Sequence, residues 1–132
     1  MVIDTSAVAA ILFGEPEADS MVAAIARDPK RLMSAFTALE CAVVVEVRKG
    51  PAGGRELDLF LHEAGIEQIG MSAEQVALAR DAYRRFGKGR HRARLNLGDC
   101  CSYALALHTG EPLLFKGKDF SHTDVKSVAL AG

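Results

Sequence analysis

Apolar positions along this chain follow two rhythms, and the first switch between them comes at once. Val2 and Ile3 are apolar and β-branched, the mark of a short buried strand. Ala7-Val-Ala-Ala-Ile-Leu-Phe13 is apolar with helical periodicity and follows Asp4-Thr5-Ser6, whose side chains cap helices. The order is strand, acid, helix. In an open α/β sheet, ligands bind just beyond the carboxyl ends of the parallel strands, which is where Asp4 would stand. Capping alone also accounts for an acid at this position.

The alternation continues. Gly14-Glu15-Pro16-Glu17 stops the first helix, and Ala18–Ala26 begins another with Met21, Val22 and Ile25 on one face, ended by Asp28-Pro29. Arg31–Ala35 predicts a second strand. Thr37 is placed to cap a helix over about Ala38–Lys49, with Glu40 three residues on to complete a capping box. Gly50–Gly54 reads as a turn, Arg55–Ala64 as a helix with Leu57, Phe60, Leu61 and Ala64 inward, and Ile66–Ile69 as a strand. Ser72 caps a helix over Ala73–Phe86 that faces a core through Val76, Ala79, Ala82 and Tyr83. Asn96–Leu107 is a strongly apolar helix stopped by Thr109-Gly110, Pro112–Phe115 is a strand, and Val125–Leu130 is the expected closing strand. Strands alternating with helices predict an α/β fold, a mainly parallel central sheet with helices on both faces.

Composition narrows this further. With 132 residues, 49% of them hydrophobic, the chain has the size and apolar content of one domain with one real core. A net charge of −1 excludes a uniformly basic surface, so nucleic-acid binding would need a local patch. The three cysteines, Cys41 and the adjacent Cys100 and Cys101, lack zinc-like spacing and are expected as small buried hydrophobes in a reducing, cytoplasmic setting. No signal-like segment opens the chain and no apolar run reaches membrane-spanning length, so no membrane role is expected.

Two features carry candidate chemistry. At about 100° per residue, Glu40 falls within about 60° of Val43, Val44 and Val47, so an ionisable group shares the apolar stripe of its helix. A carboxylate there must be paired, hydrogen-bonded or bound to a metal, and the capping box is one such solution. The second feature is Lys88-Gly-Arg-His-Arg-Ala-Arg94, where Lys88, Arg90, His91, Arg92 and Arg94 crowd one loop with no aromatic residue between them. Solvation alone explains many charged loops. Density of this kind in a chain of near-zero net charge is the footprint of phosphate-backbone binding.

The acids then fall into a pattern. Asp4 and Asp119 follow strands, whereas Glu40 and Asp99 lie near helix starts, and in an α/β sheet these places share one edge. Crowded carboxylates raise one another's pKa unless a cation neutralises them. A hard dication, Mg²⁺ or Mn²⁺, suits an all-oxygen donor set, with Thr5 or Ser6 able to contribute a hydroxyl. The reaction class indicated is metal-dependent phosphodiester hydrolysis.

Asp4 in V-I-D-T-S-A, Glu40 in T-A-L-E, Asp99 in L-N-L-G-D-C-C-S-Y-A-L-A and Asp119 in L-L-F-K-G-K-D-F-S-H-T-D resemble the PIN-domain ribonucleases, above all the VapC-type toxins of bacterial toxin–antitoxin pairs. The resemblance spans essentially the whole chain. It implies a Rossmann-like three-layer α/β/α sandwich and Mg²⁺ bound by Asp4, Glu40, Asp99 and Asp119 with help from Thr5 or Ser6. It also implies endonucleolytic RNA cleavage, homodimerisation, and neutralisation by a cognate VapB-type antitoxin. Asp124 belongs to the same C-terminal motif and is a second candidate for the fourth position. Competing readings are a PIN nuclease that processes RNA without an antitoxin, and a non-catalytic RNA-binding module built on the Lys88–Arg94 loop. Phosphoaspartyl enzymes also place an Asp after the first strand, but their second Asp would fall where this chain has Ser6.

Overall fold

The computed structural model describes residues 1–130. Four short strands, β1 (Val2–Ile3), β2 (Leu32–Ser34), β3 (Glu67–Ile69) and β4 (Leu113–Leu114), form a sheet in the order β3-β2-β1-β4 with every pairing parallel. Val2 is in register with both Leu32 and Leu113. Alternation along the strands divides the core in two. Met1, Ile3, Met33 and Leu114 pack with α1 (Thr5–Leu12), α2 (Ala18–Arg27), α3 (Ala35–Lys49) and α4 (Pro51–Glu63) on one face. Val2, Leu32 and Leu113 pack with α5 (Ala73–Phe86) and α6 (Leu97–Thr109) on the other. The result is the expected three-layer α/β/α sandwich, and among the described residues no helix is long and apolar enough to cross a membrane.

Several local expectations are corrected. β2 runs straight into α3, so Ser34 takes the N-cap position and Thr37 falls inside the helix, where it cannot cap. The capping box at Glu40 therefore does not form. Nor does the valine stripe of α3 face the core: Thr37, Ala38, Cys41 and Val45 are buried, whereas Val43, Val44 and Val47 are exposed. Small residues were needed on the inner face because α3 meets its neighbours closely. A Cβ on Gly53 of α4 would lie 2.6 Å from Lys49 Cβ and 3.0 Å from a Val45 methyl. The turn expected over Gly50–Gly54 shrinks to Gly50, with φ of 71°, because Pro51 already opens α4 at the position where a missing N–H costs nothing.

On α5 the buried positions are Gln75, Ala82 and Phe86, with Ala79 and Tyr83 partly covered, while Val76 faces outward. The closing strand expected over Val125–Leu130 is reduced to one parallel bridge between Leu113 and Ser127. β4 offers only two strand residues, too short a template for a longer ladder. Helix α6 is the spine of the second layer, buried at Gly98 and from Cys100 through Ala106 and packed on α5, α3, β1, β2 and β4.

Candidate active site

Strand order reverses at β1. The chain steps from β1 outward to β2 and β3, then returns to lay β4 on the other side of β1. Connections leaving β1 and β4 diverge at their carboxyl ends and open a crevice there, the usual ligand position in this class of sheet. Asp4 stands at that point, its backbone N–H donating to Leu114 O of β4 at 3.0 Å.

Asp4 is 2% exposed and caps α1. Its Oδ2 accepts from the Ser6 backbone N–H (3.1 Å) and the Ser6 hydroxyl (2.8 Å), and its Oδ1 accepts from the Ser102 hydroxyl at 2.6 Å. The Ser102 proton being committed to Asp4, Thr37 is the donor in the 3.2 Å contact between the two hydroxyls. Ser6 Oγ also accepts from the Lys116 N–H at 3.0 Å, tying the segment after β1 to the segment after β4. Capping and site chemistry are thus compatible in one residue.

Glu40 finds its partner across the crevice rather than in its own helix. Thr5 Oγ1 donates to Glu40 Oε1 at 2.8 Å. On its other side the carboxylate rests on Gly98 at the start of α6: a Cβ there would lie 2.2 to 2.4 Å from the carboxylate atoms. Glycine at 98 is therefore the condition for placing Glu40 beside the next residue, Asp99. Asp99 itself closes a capping box with Asn96, each side chain accepting from the other's backbone N–H at 2.8 and 3.0 Å.

Among the described residues, none of Asp4, Glu40, Asp99 and Asp119 takes part in a salt bridge with a cationic side chain. Burial raises the Asp4 carboxyl above its ordinary range, against the pull of the serine bonds. Glu40 is raised by burial and by Asp4, against its Thr5 bond. Asp99 is pushed up to about 7 by burial first, then by Asp4, Glu40 and Asp119. Asp99 therefore feels the charge of all three other acids. Among the described residues no three of them close on a common point as a finished metal cage. Mg²⁺ keeps several of its waters and is ordinarily held by one or two carboxylates plus substrate phosphate, so the all-oxygen set and the glycine cradle under Glu40 fit that ion.

Asp119 is exposed at the rim, preceding the single 3-10 turn Phe120–His122 that follows β4. Asp124 lies elsewhere. Its Oδ1 accepts from the Tyr103 hydroxyl at 2.5 Å and its Oδ2 from Arg85 at 3.4 Å, so neither oxygen is open toward the other acids.

The basic run forms a tight loop between α5 and α6, closed by hydrogen bonds from Lys88 N–H to Leu95 O (2.9 Å) and from Leu95 N–H to Phe86 O (3.0 Å). Lys88, Arg90, Arg92 and Arg94 are exposed and, among the described residues, form no ion pair. His91 is turned inward, edge-on to Phe86 at 5.3 Å, its Nδ1 accepting from Ala93 N–H. The loop leads directly in sequence into Asn96, the residue that caps the helix carrying Asp99.

Sequence reasoning missed Ser102 and Thr37. Ser102 has a legible signal, a serine three residues after Asp99 in a strongly apolar helix. Thr37 reads as a cap, which hides its place in the crevice.

The PIN domain family profile matches residues 1–126. Ribonuclease VapC30 of Mycobacterium tuberculosis is 57% identical over 130 residues, covering 98% of this chain and 99% of the relative. Ribonuclease VapC of Mycolicibacterium smegmatis is 58% identical over 128 residues, covering 97% and 99%. Among solved structures, M. tuberculosis VapC20, described as a sarcin–ricin loop cleaving toxin, matches with a TM-score of 0.77 at 18% identity over 96% of this chain and 97% of that one. A toxin–antitoxin complex from Klebsiella pneumoniae matches at 0.70 and 18% identity over 93% and 92%. The two structures speak to the fold, and the two sequences to kinship. The chain belongs to the PIN-domain family and, within it, to the VapC ribonucleases.

Proposed function

We propose that the protein is the toxin of a type II toxin–antitoxin pair, a Mg²⁺-dependent endoribonuclease that hydrolyses RNA phosphodiester bonds. The observation that carries this reading is the crowding of Asp4, Glu40 and Asp99, buried or half-buried and, among the described residues, in no salt bridge, on a chain whose loop before Asp99 exposes four cations. Asp4, Glu40, Asp99 and Asp119 would hold the ion, with Mn²⁺ able to replace Mg²⁺. When bound, that ion supplies an activated water and stabilises charge on the phosphoryl group.

The chain's own residues do the rest. Ser6 and Ser102 fix the Asp4 carboxylate, and Thr5 fixes Glu40, so the donor oxygens are oriented before any ligand arrives. Lys88, Arg90, Arg92 and Arg94 bind the phosphate backbone, while His91 shapes the loop. A cognate VapB-type antitoxin and a second copy of the chain are the expected protein partners in the cytoplasm. The exposed apolar face of Phe36, Leu39, Val43 and Val47 on α3, beside Glu40, gives such partners a surface.

The test is to incubate the protein with a mixed RNA pool, with and without Mg²⁺, and to map the ends. Cleavage that needs the ion and is lost in Asp4→Asn and Asp99→Asn, both folded, supports the reading; metal-independent binding indifferent to the acids replaces it with the binding module. Growth arrest on expression, relieved by a small co-expressed partner, separates a toxin from an RNA-processing nuclease.

A further inference from the structure

We propose that Tyr103 and Asp124 form a latch that positions Asp119 against Asp99, a role that rests on the reading of Asp119 as a metal ligand. Tyr103 sits one helical turn beyond Asp99 on α6 and is fully buried, so its hydroxyl is a fixed point relative to the crevice. That hydroxyl donates to Asp124 Oδ1 at 2.5 Å, and Arg85 of α5 approaches Oδ2 at 3.4 Å. The segment between Asp119 and Asp124 is wired throughout. Ser121 N–H donates to Lys118 O, His122 N–H to Asp119 O and Thr123 N–H to Phe120 O, at 3.0 to 3.2 Å. Thr123 Oγ1 donates to Phe120 O at 2.7 Å and accepts from Val125 N–H at 3.2 Å. Phe120 is buried against Phe115, ring centroids 5.1 Å apart.

A segment so braced moves as one piece, and a hold at Asp124 is a hold at Asp119. Without it, Asp119 would be an exposed side chain on a connecting loop, free to sample positions remote from Asp99. The latch also explains why an acid, rather than an amide, suits position 124: one carboxylate accepts from Tyr103 and from Arg85 at once, joining the C-terminal segment to both helices of that layer.

Mn²⁺ serves as probe, its binding measured without RNA by calorimetry and by its paramagnetic resonance spectrum, alongside amide exchange at Ser121, His122 and Thr123. Tyr103→Phe keeps the buried ring and removes only the hydroxyl, and Asp124→Ala changes an exposed side chain. Each is expected to weaken Mn²⁺ binding about 10-fold or more, the usual cost of losing an outer support of a ligand, and to speed exchange at those three amides. Asp119→Asn is expected to weaken Mn²⁺ binding with the amides still protected, and to make Tyr103→Phe silent toward Mn²⁺ in the double variant. Faster exchange in Tyr103→Phe with wild-type Mn²⁺ affinity overturns the latch, and so does unchanged exchange. Loss of binding in Asp124→Ala with none in Tyr103→Phe would make Asp124 a ligand instead. Wild-type affinity in Asp119→Asn would remove the underlying reading of Asp119 and leave the exchange result to judge the hold on the loop. Should Tyr103→Phe misfold, Arg85→Gln, at the surface, must show the same pattern in weaker form or the latch fails.

Discussion

The Ser102 hydroxyl donates to Asp4 Oδ1 at 2.6 Å across 98 positions of sequence, joining the end of the first strand to the middle of the sixth helix. Ser102 is wholly buried and so is the carboxylate it serves. Ser102→Ala strips Asp4 of its strongest side-chain support and leaves Thr37 Oγ1 without an acceptor. Urea denaturation should show a loss of about 1–3 kcal/mol, the cost of buried polar groups left unsatisfied. RNA cleavage at pH 7 should fall as well, because Asp4 would resist ionisation still more. Ser102→Thr, keeping the hydroxyl, should recover part of the activity; equal losses in both variants would assign Ser102 to packing alone.

Gly98→Ala separates helix stability from site geometry. Alanine in place of a helical glycine favours folding by about 1 kcal/mol. Here the new methyl meets the Glu40 carboxylate and must displace it. Stability should change little while cleavage falls at least about tenfold, a shift of about 1.4 kcal/mol in transition-state binding. In a Glu40→Ala background the same substitution should be stabilising. Paired melting curves and cleavage assays check both arms.

Stability without metal should depend on pH in an unusual direction. Folding raises the Asp4, Glu40 and Asp99 carboxyls, the last to about 7, so the folded state holds protons that the unfolded chain has released. Their contribution is fully present below the ordinary carboxylate pKa and is lost as pH climbs toward 7. Asp28 and Asp124 are lowered, by the N-terminal ammonium and by Tyr103 respectively, and act oppositely, losing their contribution only as pH falls below that same range. In chelator, the melting temperature should therefore fall from pH 5 to pH 7, and Asp99→Asn should flatten the slope. A rising profile over that interval would contradict the crowding of the acids.

Substituting glutamine for Arg90 or Arg92 should weaken RNA binding uniformly across sequences and reduce the logarithmic salt slope by about one for each phosphate no longer neutralised. His91→Ala should instead cost stability, through Phe86 and Ala93. Filter binding between 50 and 200 mM salt, with melting curves alongside, distinguishes the two behaviours.

The thiols should be inert. Cys41 and Cys100 are pushed up to about 12 and Cys101 to about 11, burial being the main cause in each. Thiol reagents at pH 8 should label none of them until the protein unfolds, which makes labelling a direct assay of folding for every variant above.

Much of this was legible in the sequence where function and local propensity point the same way. Asp4 after β1 and Asp99 in the first turn of α6 are capping residues and crevice residues at once, so local signals found them. Glu40 announced itself as an acid in need of a partner. Its partner, Thr5, belongs to another helix, and periodicity sees only one helix at a time. The same blindness put the valines of α3 inside: volume suggested burial, but close helix packing demanded Ala38 and Cys41 there. Asp119 ranks ahead of Asp124 in the sequence because it directly follows a strand, whereas the engagement of Asp124 by Tyr103 and Arg85 is visible only in three dimensions.

Helix α6 is covered on all flanks from Cys100 to Ala106. If cells are challenged with this protein and survivors collected, their missense changes should fall in two classes that look alike on a plate. One strikes the acids and leaves full amounts of inert protein. The other strikes this helix and leaves little protein at all, so an immunoblot of the survivors will sort chemistry from abundance before a single enzyme is purified.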